Sequence, residues 1–138
     1  MRFVDTNVLL YAASTVAEEK AKARIALELL NSKDLGLSVQ VLQEFYVQAT
    51  RPGKLDRMNH GQAACLIESF LRFPVQETTV VLVKRSLDTK ERFAISFWDA
   101  TIVEAARLLG CSVVLSEDLN DGQDFEGVRV ENPFRKIL

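Results

Sequence analysis

The stretch Met1-Arg2-Phe3-Val4-Asp5-Thr6-Asn7 decides how this chain is read. Phe3-Val4 has the look of a short buried strand, and Asp5 sets a carboxylate at its end, where the chain must turn. In an open α/β sheet, sites form at the carboxyl ends of the strands. Three more acids hold comparable positions. Glu44 lies on an apolar helix, Asp99 follows Trp98 at a helix start, and Asp118 comes just past the strand Val113-Val114-Leu115.

Outward from Asp5, the spacing of apolar residues predicts helices over 8–13 and 16–30. In the second, Ala21, Ile25, Leu29 and Leu30 face inward, and Glu18, Glu19, Lys20, Lys22 and Arg24 face water. Residues 35–38 read as a brief strand. Ser38 then caps a helix that runs to position 50 and stops at Arg51-Pro52-Gly53. Further helices are predicted over 61–73 and 79–89. Ser96-Phe97-Trp98-Asp99 fits a capping box for a helix through 109, closed by Gly110, and strands follow over 112–115 and 128–130. Strands alternating with helices imply a mainly parallel sheet flanked on both faces. The expected architecture is a single three-layer α/β/α domain over residues 1–138, with no linker or repeat to divide it.

Composition bounds the function. With 138 residues, 48% hydrophobic content and a formal charge of -2, the chain has enough apolar mass for one core and no bulk positive charge to hold a polyanion. Cys65 and Cys111 show no CxxC spacing and read as core thiols. No run reaches the roughly 20 apolar residues of a membrane span, and the amino terminus reads as a charged strand rather than a signal peptide, so a cytoplasmic location is expected.

Each acid has a plain structural alternative. Asp5 can cap the helix that follows it, Asp99 can be the third residue of the capping box, and Asp118 lies in the polar turn Ser116-Glu117-Asp118-Leu119-Asn120-Asp121, where Glu117 and Asp121 compete for any role. Glu44 is harder to explain away, because Val41, Phe45 and Gln48 share its helical face. Together the four weigh more, since a parallel sheet gathers strand ends and helix starts on one edge. At an effective dielectric near 20, two carboxylates about 4 Å apart repel by roughly 4 kcal/mol, so a cluster of four calls for cations. Oxygen-only ligands favour Mg²⁺ or Mn²⁺ over zinc, for which the single histidine, His60, and two separated cysteines supply no set. His60 reads as a surface residue. Asn7 and Ser116 read equally as groups that orient the acids and as ordinary turn residues.

In order, Asp5-Thr6-Asn7, Glu44, Asp99 in Trp98-Asp99-Ala100 and Asp118 in Ser116-Glu117-Asp118 resemble the PIN-domain ribonucleases, and the small size is similar to that of the VapC-type toxins. The resemblance spans essentially the whole chain. It implies RNA cleavage with Mg²⁺ or Mn²⁺ held by Asp5, Glu44, Asp99 and Asp118, inhibition by a cognate antitoxin, and a homodimer. Two clusters, Arg51 with Lys54 and Arg57, and Lys84 with Arg85, Lys90 and Arg92, are candidates for RNA phosphate contacts or plain solvated surface.

Three rival readings are weaker. A haloacid-dehalogenase-type phosphatase needs a second aspartate where Asn7 stands, and an amide cannot transfer that proton. An EF-hand fails because Gly122 falls at a ligand position and Arg129 where the bidentate glutamate belongs. A catalytically silent PIN-like module that binds RNA or protein would need the acids scattered or unable to hold metal. Finally, Phe45, Tyr46 and Val47, with Ala63, Ala64, Leu66, Ile67, Phe70, Leu71 and Phe73 on the next helix, give more apolar surface than one sheet face covers. A homodimer contact or an antitoxin's apolar segment is expected there, against burial between neighbouring helices.

Overall fold

Five short strands and six α-helices alternate along the chain in a computed structural model that describes residues 1–136. Strand β1 (Arg2–Val4) leads into α1 (Thr6–Ala12). A 3₁₀ turn at Ala17–Glu19 precedes α2 (Lys20–Leu30), and β2 (Leu35–Ser38) runs directly into α3 (Val39–Ala49). Then come α4 (His60–Phe70), β3 (Val75–Gln76), α5 (Val80–Phe93), α6 (Phe97–Leu108), β4 (Val113–Leu115) and β5 (Arg129–Glu131). The order across the sheet is β3-β2-β1-β4-β5, and all four pairings are parallel. This is the expected three-layer α/β/α architecture.

The strands are short and nearly continuous in apolar residues, as strands covered on both faces must be. Phe3, Val4, Leu35, Leu37, Val114 and Val130 are buried in a core shared with Val8, Leu9, Val41, Phe45, Val103 and Phe125. On one side α1 packs on α2 and α3, and α3 on α4. On the other, α5 packs on α6, which lies across β2, β3 and β4. Gly36, in the middle of β2, lets α6 come close: a Cβ there would meet Leu109 Cδ1 at 2.9 Å.

The topology decides where a site can form. From β1 the chain builds outward through β2 to β3, then returns to the far side of β1 for β4 and β5. In open parallel sheets the switch in direction is where a binding crevice forms, here at the carboxyl ends of β1 and β4. Asp5 ends β1 there, its N–H bonded to the Leu115 carbonyl at 3.1 Å, and Ser116 ends β4 beside it.

Several expectations need correction. Cys65 is exposed, because α4 turns Ala63 and Phe70 inward and Cys65 away from that face. Cys111 is a core thiol, its pKa pushed up to about 11 by burial. Helix α5 continues to Phe93, past the predicted end at 89, and closes with Ala94 in the left-handed region at φ 53°. Strand β3 was not read at all, since two residues after Pro74 carry no periodicity. The predicted capping box at Ser96 forms only by half: Ser96 Oγ accepts the Asp99 N–H at 3.0 Å, without the return bond from the Asp99 carboxylate. Of the surface expected to be surplus, much is internal. Phe45 and Phe70 meet edge to face at 5.2 Å and Ala63 and Phe73 are buried, which leaves Val47 and Leu71 as its large exposed members. His60 is exposed, as expected, and bonds the Tyr46 hydroxyl at 2.9 Å.

Candidate metal centre

Asp5 is the hub. As N-cap of α1 it accepts the Thr6 N–H on Oδ1 at 2.8 Å, so the capping alternative is realised. Its other oxygen, Oδ2, accepts the Ser116 hydroxyl at 2.7 Å. The side chain is almost wholly buried, and its pKa is pushed up to about 6, first by burial, with Asp118 and Glu44 adding to the rise and the bonds from Ser116 and Thr6 opposing it. One aspartate therefore serves as a helix cap and as a strained charge.

Two hydrogen-bonded arms run from this hub. On the β4 side, Ser116 Oγ takes the Asp118 N–H at 3.1 Å and the Asn7 amide at 3.2 Å, while the same Asn7 Nδ2 reaches Asp118 Oδ2 at 3.2 Å. Ser116 and Asn7 are both buried, and each is hydrogen-bonded to an acid, Ser116 to Asp5 and Asn7 to Asp118. On the α3 side, the Thr6 hydroxyl donates to Glu44 Oε2 at 2.7 Å, and Gln40 Nε2 donates to Glu44 Oε1 at 2.9 Å. Gln40 in turn carries its Oε1 2.5 Å from the Thr101 hydroxyl of α6. This strut ties the helix that bears Glu44 to the helix that bears Asp99. The Asp99 side chain is half-buried and takes up no hydrogen bond among the described residues.

The structure thus joins Asp5, Glu44 and Asp118 through neutral donors, and it ties the helix of Asp99 to that of Glu44 through the Gln40–Thr101 strut, with no bond to Asp99 itself. Among the described residues, no three acidic, histidine or cysteine side chains close into a metal cage. Positive charge is what these four acids lack. Asp34, Asp56, Glu104, Glu117 and Glu126 each have a lysine or arginine partner, whereas Asp5, Glu44, Asp99 and Asp118 have none among the described residues. Their donor chemistry fits an oxygen-ligated divalent cation, Mg²⁺ or Mn²⁺. A carboxylate destabilised first by burial and further by its acidic neighbours, with no ion pair among the described residues, is what such an ion would relieve.

The three acids of the 116–121 turn have different partners. Glu117 turns away to the Tyr11 hydroxyl and to Lys22 Nζ, the latter at 2.9 Å. Asp121 caps the Asn132 N–H at 2.8 Å and pairs with Arg135 at 3.3 Å, which holds its carboxyl below the usual range. Asp118 alone of the three turns toward Asn7 and Ser116.

A family model for the PIN domain matches residues 2–124. The chain belongs to the PIN-domain family. Solved structures share the fold. A toxin-antitoxin complex from Klebsiella pneumoniae superposes with a TM-score of 0.69 at 19% identity, covering 96% of this chain and 98% of that one. VapC20 of Mycobacterium tuberculosis, described as a sarcin-ricin loop cleaving toxin, gives 0.64 at 22% identity over 86% and 92%. DNA-bound VapBC from Salmonella typhimurium gives 0.64 at 18% over 96% and 97%. No curated protein matches the sequence.

In this PIN domain, sequence reasoning missed Thr6, Gln40 and Thr101. Gln40 stands four residues before Glu44 on α3, a spacing that puts two side chains on one helical face, and this was the one legible signal. Of the basic clusters, Lys54 pairs with Asp56, Arg57 Nε donates to the Thr50 carbonyl at 2.8 Å, and Arg92 pairs with Glu126. Arg51, Lys84, Arg85 and Lys90 are exposed without an ion pair among the described residues.

Proposed function

We propose that this PIN domain, as a single domain over residues 1–138, is a metal-dependent endoribonuclease that serves as a toxin neutralised by a cognate antitoxin. The observation that carries the reading is Asp5: a buried carboxylate whose pKa is raised first by burial and then by Asp118 and Glu44, joined by hydrogen bonds to Glu44 and Asp118 through neutral donors. Asp5, Glu44, Asp99 and Asp118 are the residues that would hold Mg²⁺ or Mn²⁺. When bound, such an ion polarises a phosphate oxygen and lowers the pKa of a water ligand. The antitoxin and RNA assignments are supported by the Klebsiella and Salmonella complexes and by the cleaving activity in the VapC20 description.

The chain's own residues prepare this chemistry. Ser116 and the Thr6 N–H hold both Asp5 oxygens, Thr6 and Gln40 hold both Glu44 oxygens, and Asn7 fixes Asp118. All these donors are neutral, so they orient the carboxylates without cancelling their charge. Asn7 works here as a donor, a role consistent with hydrolysis by activated water and not with a proton-transferring aspartate at that position. Exposed Arg51, Lys84, Arg85 and Lys90 remain candidates for RNA phosphates.

Purified chain, freed of any antitoxin, is expected to cleave RNA in Mg²⁺ or Mn²⁺ and to stop in EDTA. Undiminished cleavage in excess chelator would refute the metal site. On size exclusion with light scattering the same preparation is expected to run as a homodimer that uses the exposed Val47 and Leu71; a monomer at high micromolar concentration would contradict that contact. Among the described residues, no helix is long and apolar enough to cross a membrane.

A further inference from the structure

We propose that Trp98 is a base-stacking subsite, an aromatic platform that receives a nucleobase of single-stranded RNA beside the acidic centre. The inference rests on the nuclease reading above and adds to it the form in which the substrate is held. Trp98 is 65% exposed, and among the described residues its indole N–H has no partner. It does not serve the core. Nor does it serve the helix start as a hydrophobic staple, because Ser96 is the N-cap of α6 and the staple positions are then Ile95 and Ala100.

Its place in the fold is specific. Residues three and four apart on a helix share a face, so Trp98 stands one turn before Thr101 and Ile102. Both are buried, and Thr101 bonds the Gln40 that holds Glu44. Thr101 Oγ1 also lies 2.6 Å from the Trp98 carbonyl, which anchors that turn of backbone to the strut. Trp98 therefore lies on the turn of α6 whose Thr101 leads through Gln40 to Glu44, and it precedes Asp99 in the chain. Phe97 meets the indole edge to face at 5.3 Å and 72°, so less side-chain freedom is lost when a ligand stacks.

Single-stranded RNA is recognised largely by unstacked bases laid on aromatic side chains. A protein partner would ask for something else. An aromatic anchor in a protein interface usually sits within a ring of other contacts, yet no other large apolar side chain of α6 is exposed, and Ser96 and Asp99 are polar neighbours in the chain. An acidic centre without basic neighbours also gains from a contact that does not depend on charge, which stacking supplies.

The chain has a single tryptophan, so intrinsic fluorescence reports this residue alone. Full-length protein in EDTA is titrated with a short oligouridylate or oligoadenylate, with inorganic polyphosphate as the charge-matched control. Saturable quenching by the oligonucleotides and none by polyphosphate is expected. In cleavage assays Trp98→Ala is expected to raise KM about tenfold and leave kcat within about threefold, with Trp98→Phe close to wild type. Quenching by RNA from a wild-type protein that does not cleave would overturn the nuclease reading and leave the subsite standing. Cleavage without quenching, with an unchanged KM in Trp98→Ala, would overturn the subsite and leave the nuclease. A blue shift that follows protein concentration instead of RNA would overturn it in favour of a subunit contact.

Discussion

Asp5→Asn and Asp99→Asn are each expected to lower RNA cleavage by more than about a hundredfold while leaving the fold intact. Groups that only orient a metal ligand cost about 10- to 100-fold when removed, so a ligand itself should exceed that range. The two variants differ in what else they disturb. Asp99 takes no hydrogen bond among the described residues, so its amide changes little beyond charge. In Asp5→Asn the amide oxygen still accepts the Thr6 N–H, but the amide nitrogen faces a Ser116 hydroxyl whose lone pairs already take Asn7 and Asp118. Circular dichroism alongside the cleavage rates separates the outcomes: loss of activity with a native spectrum is expected, and unfolding of both variants would favour purely structural aspartates.

The metal-free protein should also lose stability as pH rises from about 4 to about 6, and Asp5→Asn should remove part of that loss. Asp5 releases its proton near the ordinary 3.8 in the unfolded chain and only at about 6 in the folded one. Between those limits the native state holds the extra proton, so raising the pH favours unfolding. The penalty is absent below the lower limit and complete above the upper one. A shift of this size corresponds to about 3 kcal/mol. That figure is already net of the bond from Ser116, which lowers the pKa; what Asp5→Asn loses beyond it is a neutral bond worth roughly 0.5–1.5 kcal/mol, which offsets part of the relief. At pH 7 in EDTA the variant should therefore be somewhat the more stable of the two, and the difference should shrink as the pH falls. Denaturant melts of both proteins from pH 3.5 to 7.5 measure it. Parallel slopes would show that Asp5 titrates as an ordinary carboxylate.

Much of this was legible in the sequence because the informative residues sit where local rules apply. Asp5 ends a strand, Ser38 and Ser96 cap helices, and Pro52 and Gly53 stop one, so the order of elements and the parallel sheet followed from short-range signals. The site's wiring is long-range. Thr6 meets Glu44 across 38 positions, Thr101 meets Gln40 across 61 and Ser116 meets Asp5 across 111, and no periodicity encodes such pairs. The choice among Glu117, Asp118 and Asp121 was closed to sequence for a related reason. Lys22 with Tyr11, and Arg135 with the Asn132 N–H, draw two of them away from the crevice. Cys65 was misread because a helix with apolar residues around much of its circumference does not announce which face it buries.

The most direct test of the acidic centre is a crystal structure grown with Mn²⁺, with the ion located by its anomalous scattering. The expected result is Mn²⁺ in the crevice after β1 and β4, with an Asp5 oxygen at roughly 2.1 Å and Glu44, Asp99 and Asp118 around it directly or through water. A crevice without an anomalous peak at saturating Mn²⁺, or Glu44 directed to the opposite face of the sheet, would contradict it.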